Sequence, residues 1–320
     1  MIAATTVMGI DVARDWLDGF CCPAGHRFRL PNTSEGHAQV LALIQRVPGV
    51  AQVGFEATGG QEWALWVTLV AAGVRAVQLP PAQIKAFALS RGTRAKTDRI
   101  DAELIAGFML FRPEAGRALP SGNLRVLRAL TTRRAQIVDM RKRLMAQICA
   151  REKQGVVADV GDMDNALETM LDDQIGALER RIENAIAQEE CLAAKARLLR
   201  SIPGIGSVSA AMLIAEMPEL GRMTVGAAAA MIGLAPVPHD SGTMRGRRMI
   251  VGGRRALRHV LFQAALAAAC HNAVLRLLAK RLKERGKPHK LVIIAIARKL
   301  VTIANAILKT ATPWRLNPAT

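Results

Sequence analysis

The feature that most constrains this chain is a pattern used twice, an apolar run of strand character that closes on a carboxylate. Thr6-Val7-Met8-Gly9-Ile10-Asp11-Val12-Ala13 is the first instance, and Gln52-Val53-Gly54-Phe55-Glu56, followed by Ala57-Thr58-Gly59-Gly60, is the second. An acid set directly after buried apolar residues is expensive unless a cation or a set of donors receives it. Trp16 to Cys22 and His26 to Leu30 are short strand candidates separated by turn residues, so the chain opens as a three-strand meander. Helices are expected from Ser34 to about Val47 and from Gln61 to Ala72, with a strand near Val74 to Leu79. Pro80 and Pro81 then open another helix. The order is β-β-β-α-β-α-β-α.

The run Lys96-Thr97-Asp98-Arg99-Ile100-Asp101-Ala102-Glu103-Leu104-Ile105-Ala106 reads as a helix with Ile100, Leu104 and Ile105 as its apolar stripe. Carboxylates three residues apart, Asp98 and Asp101, share one helix face. Arg91, Arg94, Lys96 and Arg99 surround them. Taken alone, acids among arginines form surface ion pairs or hold a divalent metal facing a phosphodiester. In a three-layer sheet with neighbouring central strands, Asp11, Glu56, Asp98 and Asp101 would converge at one end. Four carboxylates there could not all stay ionised without a cation, and a Mg²⁺ site for phosphodiester chemistry is the economical explanation. This is an RNase H-like arrangement.

From Pro120 to Arg200 the pattern becomes helical, with Leu124, Leu127, Leu130, Ile137, Met140, Leu144 and Ile148 in one run. In the next, Leu171, Ile175, Leu178, Ile182 and Ala185 alternate in steps of four and three, a heptad seam. An antiparallel hairpin or coiled coil fits, as a spacer or a dimerisation arm. Ile202-Pro203-Gly204-Ile205-Gly206 suits either a helix-hairpin-helix approach to phosphate or a plain corner between helices. Beyond Gly233-Leu234-Ala235-Pro236 comes Ser241 with six arginines in the next 17 residues: Arg245, Arg247, Arg248, Arg254, Arg255 and Arg258. Arginine's planar fork suits phosphate. From spacing alone this is a phosphate-binding loop in which Ser241 is a turn residue, and a nucleophilic Ser241 is the sharper alternative. His239 and Asp240 adjoin it too closely in sequence to complete a triad.

Charge divides the chain. Residues 199–320 hold 19 Lys and Arg against four acids, so they carry +15 of the formal +18. A polyanionic partner is implied for the C-terminal part and a different task for the rest. Five cysteines without metal-ligand spacing fit a reduced, cytoplasmic setting. Met1 to Ala13 lacks the regions of a signal peptide, and Arg298 and Lys299 interrupt the apolar stretch Leu291–Leu308, so no membrane partner is expected. The absence of tyrosine excludes tyrosine-nucleophile recombination by this chain.

Together these segments resemble the DEDD transposases of insertion-sequence family one hundred and ten, regarded as bridge-RNA-guided recombinases. The resemblance runs almost end to end. It rests on GIDVA, GFEATGG and KTDRIDAELIA in the first part, and on IPGIG, GLAP, Ser241-Gly242 and Leu257-Arg258 in the second. It implies an α/β plus α chain: a RuvC/RNase H-like metal-binding domain at 1–118, a coiled-coil arm at 119–198 and a mostly α-helical transposase domain at 199–320. It also implies metal ligands at Asp11, Glu56, Asp98 and Asp101, and a covalent Ser241–DNA intermediate. The site would be composite, with the serine of one subunit meeting the carboxylates of another in a homodimer or homotetramer. Donor and target DNA and a guide RNA are the implied partners, with a nucleoid-associated location. Nucleic-acid contacts are expected from Arg91, Arg94, Lys96, Arg99, Arg245, Arg247, Arg248, Arg254, Arg255 and Arg258. A Holliday-junction-type endonuclease using only the metal site, or a non-catalytic nucleic-acid-binding protein, are the alternatives.

Overall fold

A computed structural model describes residues 6–47, 49–92, 98–155, 160–237, 249–250 and 252–315, except the side chains of residues 98, 99 and 237. The chain forms two compact units, Met1–Pro120 and Ser121–Thr320.

The first unit carries β1 (Thr6–Val12), β2 (Trp16–Cys22), β3 (Arg27–Pro31), α1 (Ser34–Arg46), β4 (Val50–Glu56), α2 (Trp63–Ala71), β5 (Ala76–Leu79), α3 (Pro81–Ser90) and α4 (Asp98–Phe111). The element order expected from sequence is realised. The sheet runs β3-β2-β1-β4-β5, with β2 antiparallel to both its neighbours and β1, β4 and β5 mutually parallel. The result is one five-stranded mixed sheet.

Strand alternation sorts the side chains between two cores. Met8, Ile10, Val12, Val53 and Phe55 point to the face covered by Val40 of α1 and by Leu65, Trp66 and Leu69 of α2. Val7, Val77 and Leu79 point the other way, against Ile84 of α3 and Ile105, Phe108 and Met109 of α4. Each such side chain, fully buried, contributes about 1.5–3 kcal/mol. Trp66 also donates its indole N–H to the Ala76 carbonyl (3.1 Å), so α2 is pinned to β5 by a polar contact as well.

The second unit contains α5 (Gly122–Gln154), α6 (Gly161–Ala187), α7 (Glu190–Arg200), α8 (Ser207–Glu216), α9 (Val225–Ile232), β6 (Pro236–Val237), β7 (Met249–Ile250), α10 (Arg255–His271), α11 (Ala273–Glu284) and α12 (His289–Thr310). Ser121 caps α5 by accepting the Leu124 N–H (3.2 Å). Helices α5 and α6 form an antiparallel hairpin. Its ion pairs match early positions of one helix with late ones of the other: Arg134 with Glu179 (2.6 Å), Arg141 with Asp172 (2.5 Å), and Arg151 with Asp164. Ile137, Leu144, Leu171 and Leu178 fill its seam.

The hairpin is not a separate unit. At its base Leu127, Ile182 and Ile186 enter the same core as α7 to α12, so the heptad run ends inside a helical domain. By length and composition α12 could cross a membrane. Here Val292, Ile293, Ile296, Leu300, Val301 and Ala304 line the middle of that core while Arg298 and Lys299 lie exposed, so α12 is the central core helix of the bundle.

Candidate functional site

Gly9 and Gly54 show which face the carboxylates occupy. Neighbours in register on parallel strands, they both lie on the α4 side of the sheet. A Cβ on Gly9 would collide with the Ala102 carbonyl oxygen and the Ala106 amide nitrogen, so α4 rests directly on the β1 backbone. A Cβ on Gly54 would strike the Met109 sulfur. Asp11 and Glu56 lie two residues beyond these glycines, on the same face. They occupy the rung after the Ile10–Phe55 pair at the C-terminal ends of adjacent strands. Both are half-buried.

Helix α4 runs back along β1. Val7 packs among Ile105, Phe108 and Met109, and Gly9 lies beneath Ala102 and Ala106. The first turn of α4 therefore sits at the strand ends that carry Asp11 and Glu56. Asp98 and Asp101 are one helical turn before Ala102 and Ile105, which places their backbone positions on the stripe that faces the sheet.

Among the described residues no three carboxylate, imidazole or thiolate groups are gathered closely enough to hold a metal ion, and the Asp98 side chain lies outside them. The donor set still suits Mg²⁺ or Mn²⁺. All its donors are hard oxygens, and Mg²⁺ is usually held by one or two carboxylates, with water and substrate phosphate completing its shell. Two acids on adjacent strands are a sufficient foundation for that.

Three acidic or polar groups at this end were not anticipated. Asp18 of β2 is the cross-strand partner of Asp11, is buried, and faces Arg29 at 3.9 Å. Glu62, 1% exposed, organises the turn that follows Glu56. Its Oε2 accepts from the Thr58 N–H (3.3 Å), the Thr58 hydroxyl (2.8 Å) and the Gly60 N–H (3.0 Å), while Oε1 accepts from Gln78 (2.7 Å). Burial pushes the Glu62 carboxyl up, but these donors and its own N–H hold it below the ordinary carboxylate value. Asn32, fixed by buried His37, bridges two loops. A lone acid opening the uncharged helix WALWVTLVA was the one available signal for Glu62. The partners of Asn32 are too distant in sequence to leave one.

The basic residues separate into kinds. Arg91 caps α3 and lies over the Phe87 ring at 5.7 Å, beside Gly107 and remote from the first turn of α4. Arg254 is turned inward. It makes a two-pronged ion pair with Glu219 (2.9 and 3.2 Å) and donates to the Glu216 carbonyl, so an arginine expected on nucleic acid holds the helical core together. Arg255 is exposed, and Arg258 braces the Gly252 carbonyl at 2.6 Å. The side chains of Asp98 and Arg99, and residues Arg94, Lys96, His239, Asp240, Ser241, Arg245, Arg247 and Arg248, lie outside the described residues.

What is described around the serine segment is its foot. Strands β6 and β7 pair Pro236 with Ile250 and Val237 with Met249. Below them Gly233 ends α9 at φ 74°, and a Cβ on Gly253 would meet the Gly233 nitrogen and the Ile232 carbonyl carbon. The backbone segments that flank residues 238–248 are thereby held side by side. In the IPGIG corner, Gly204 (φ 103°) packs on Ala268 of α10. Asn272 donates to the Pro203 carbonyl (3.4 Å) and caps α11 by accepting the Leu275 N–H (3.2 Å).

Two transposase family models match the sequence. One, a DEDD transposase of the IS110 type, matches residues 8–154, and the other, the IS116/IS110/IS902 transposase family, matches residues 196–280. The pilin gene-inverting protein of Moraxella bovis is 28% identical over 97% of both chains. The 43.6 kDa protein of insertion element IS110 from Streptomyces coelicolor is 31% identical over 45% of this chain and 35% of its own. The T. thermophilus RuvC chain, solved with a Holliday junction substrate, aligns with 35% of this chain and 98% of its own at 19% identity and a TM-score of 0.28. On the two matches, which follow one another in chain order and together cover more than two thirds of the sequence, the chain belongs to the IS110 family of transposases.

Proposed function

We propose that this transposase exchanges DNA strands through a serine ester formed beside a carboxylate-held Mg²⁺, with a guide RNA selecting the DNA. Family membership implies a divalent metal. Mg²⁺, with Asp11, Glu56, Asp98 and Asp101 as its ligands, is our assignment. The observation that supports it best is the rung on which Asp11 and Glu56 stand side by side, under the first turn of the helix that begins at Asp98.

In this reading the Ser241 hydroxyl attacks the scissile phosphorus and gives up its proton. The P–O bond to the departing sugar oxygen breaks, and that oxygen takes a proton. The phosphodiester is conserved as a serine ester, which a hydroxyl from a second strand opens by the reverse step. When bound, the metal supplies positive charge to the phosphate oxygens. Arg245, Arg247 and Arg248 add bidentate donors to the same charge, and Arg255 and Arg258 bind backbone nearby. Ser241 of one copy acts with the carboxylates of another, in a homodimer or homotetramer. Base pairing carries specificity while the protein grips backbone, consistent with +15 residing in residues 199–320. The reaction takes place in the bacterial cytoplasm, on nucleoid DNA.

Ser241→Ala abolishes strand exchange and any protein–DNA adduct resolved on a denaturing gel, while DNA affinity at fixed salt changes by less than about twofold. Asp11→Asn removes divalent-metal-dependent cleavage. An adduct that survives Ser241→Ala moves the nucleophile elsewhere. Free ends without an adduct in the unaltered protein identify a hydrolytic endonuclease that uses the carboxylates alone.

A further inference from the structure

We propose that Asn32 is a positioning residue for the carboxylate pair, a clamp that sets the distance between the ends of β1 and β4. The proposal rests on the assignment of Asp11 and Glu56 as metal ligands. The side chain of Asn32 spends every polar group it has. One amide hydrogen goes to the Ala13 carbonyl (2.9 Å) and the other to the Gln61 carbonyl (3.3 Å), while Oδ1 accepts from His37 Nε2 (2.8 Å). Ala13 is two residues past Asp11, and Gln61 lies in the turn that follows Glu56.

One planar amide therefore joins the two segments on which the acids are mounted. It comes from a third segment, the start of α1, whose N-cap Thr33 accepts the Gly36 N–H (3.3 Å). Its own backbone N–H is anchored to the Asp15 carbonyl (2.9 Å).

Each end of the clamp is stiff. On the Glu56 side the buried Glu62 holds Thr58 and Gly60, which ties together the turn that contains Gln61. On the Ala13 side the tight turn to β2 closes through Ala13 N–H to the Trp16 carbonyl (2.9 Å). His37 is 5% exposed and fixes the rotation of the Asn32 amide, so both hydrogens face the two carbonyls at once. No other side chain of this length offers two donors and one acceptor in a plane. The β1–β4 hydrogen-bond ladder stops short of the acids, since its last paired rung is Ile10–Phe55. Beyond that rung, the Asn32 amide carries the register across the gap where the acids stand.

The test is Mn²⁺ affinity of the full chain, measured by electron paramagnetic resonance without DNA. Asn32→Leu keeps the volume and removes all three polar contacts, and it weakens Mn²⁺ binding at least about tenfold, the scale of other groups that orient metal ligands. His37→Leu does the same through rotation of the amide, and His37→Gln, which retains a donor, restores affinity to within about twofold. Leu69→Ala, a cavity on the opposite face of the sheet, is the control. It lowers the melting temperature but leaves Mn²⁺ affinity unchanged. Asn32→Leu and His37→Leu proteins that bind Mn²⁺ as tightly as Leu69→Ala overturn the clamp. If Asn32→Leu does not fold, the His37 pair decides. Asp11→Asn separates the two ideas: abolished binding there, with full affinity in the clamp variants, rejects the clamp alone, whereas unchanged binding in Asp11→Asn rejects the metal assignment and the clamp with it.

Discussion

The two units both seat a functional segment on glycine, by different means. In the sheet unit Gly9 lets a whole helix lie against a strand, and the acids inherit their positions from register and alternation. In the helical unit Gly233 and Gly253 bring two backbone segments into contact, which fixes only the feet of the serine segment. Strand register is an all-or-none device, since a slip of one residue would turn Asp11 or Glu56 to the other face. The acids we assign to the metal are thus placed by secondary structure, whereas the serine segment is flanked by a two-strand pairing.

The largest effect expected from breaking this arrangement is at Gly9. In Gly9→Ala the new methyl meets backbone atoms of α4, which cannot move aside as a side chain can. Overpacking of that kind costs about 3 kcal/mol or more, so chemical denaturation should show the first unit unfolding early and cleavage activity should fall with it. Gly54→Ala, its partner in register, meets the end of Met109 and a Leu79 methyl carbon at 3.2 Å, both of which can shift. A loss of about 1 kcal/mol is expected there. Equal losses at the two positions would show that α4 is not seated on β1 backbone in particular.

A second contrast sharpens the division among arginines. Arg254→Ala removes the two-pronged pair with half-buried Glu219 and the donor to the Glu216 carbonyl. Allowing for the solvent that reaches this pair, a loss of about 1–2 kcal/mol is expected in urea unfolding. Its DNA affinity, measured on folded protein, should be unchanged. Arg255→Ala, one residue on and exposed, should leave stability within about 0.5 kcal/mol and reduce the slope of log affinity against log salt by about one. The reverse pattern would return Arg254 to the nucleic-acid surface.

Much of this could be read from the residues. Alternation through Thr6–Val12 and Val50–Glu56, helix signals at Ser34 and Pro81, and the heptad spacing of Leu171 to Ala185 each report a local periodicity, and the elements formed there. What escaped the sequence was long-range or side-chain specific. Nothing in the spacing of Arg254 distinguishes it from Arg255, because burial depends on which helix face meets Glu219. Asp18 lies within the strand candidate Trp16 to Cys22, and only strand pairing sets it opposite Asp11. Asn32 contacts Ala13 and Gln61, 19 and 29 residues away, through carbonyls that any residue would supply. Where the arm ends was hidden for a related reason: heptad periodicity describes the seam between α5 and α6 and is silent about what packs at their base.

The smallest effect concerns acid stability, and it belongs to the sheet unit alone. Burial lowers the pKa of His37 from its ordinary value near 6.5, because the ring must lose its hydration to lie under the Asn32 amide. Below that value the unfolded chain binds a proton that the folded chain resists, so stability falls as pH drops, by at most about 1.4 kcal/mol per unit for one group. Glu62, whose folded pKa is lowered, has the same sign at lower pH: its contribution is present above the ordinary carboxylate value and is lost as pH falls through the depressed one. Acid should therefore weaken the first unit in two stages, histidine first and carboxylate second. His37→Gln should erase the stage that begins near pH 6.5 and leave the carboxylate stage intact, as followed by tryptophan fluorescence of Trp63 and Trp66 during urea unfolding at each pH. If the first stage persists in His37→Gln, another group carries it, and the histidine under the Asn32 amide titrates in the folded chain as freely as in the unfolded one.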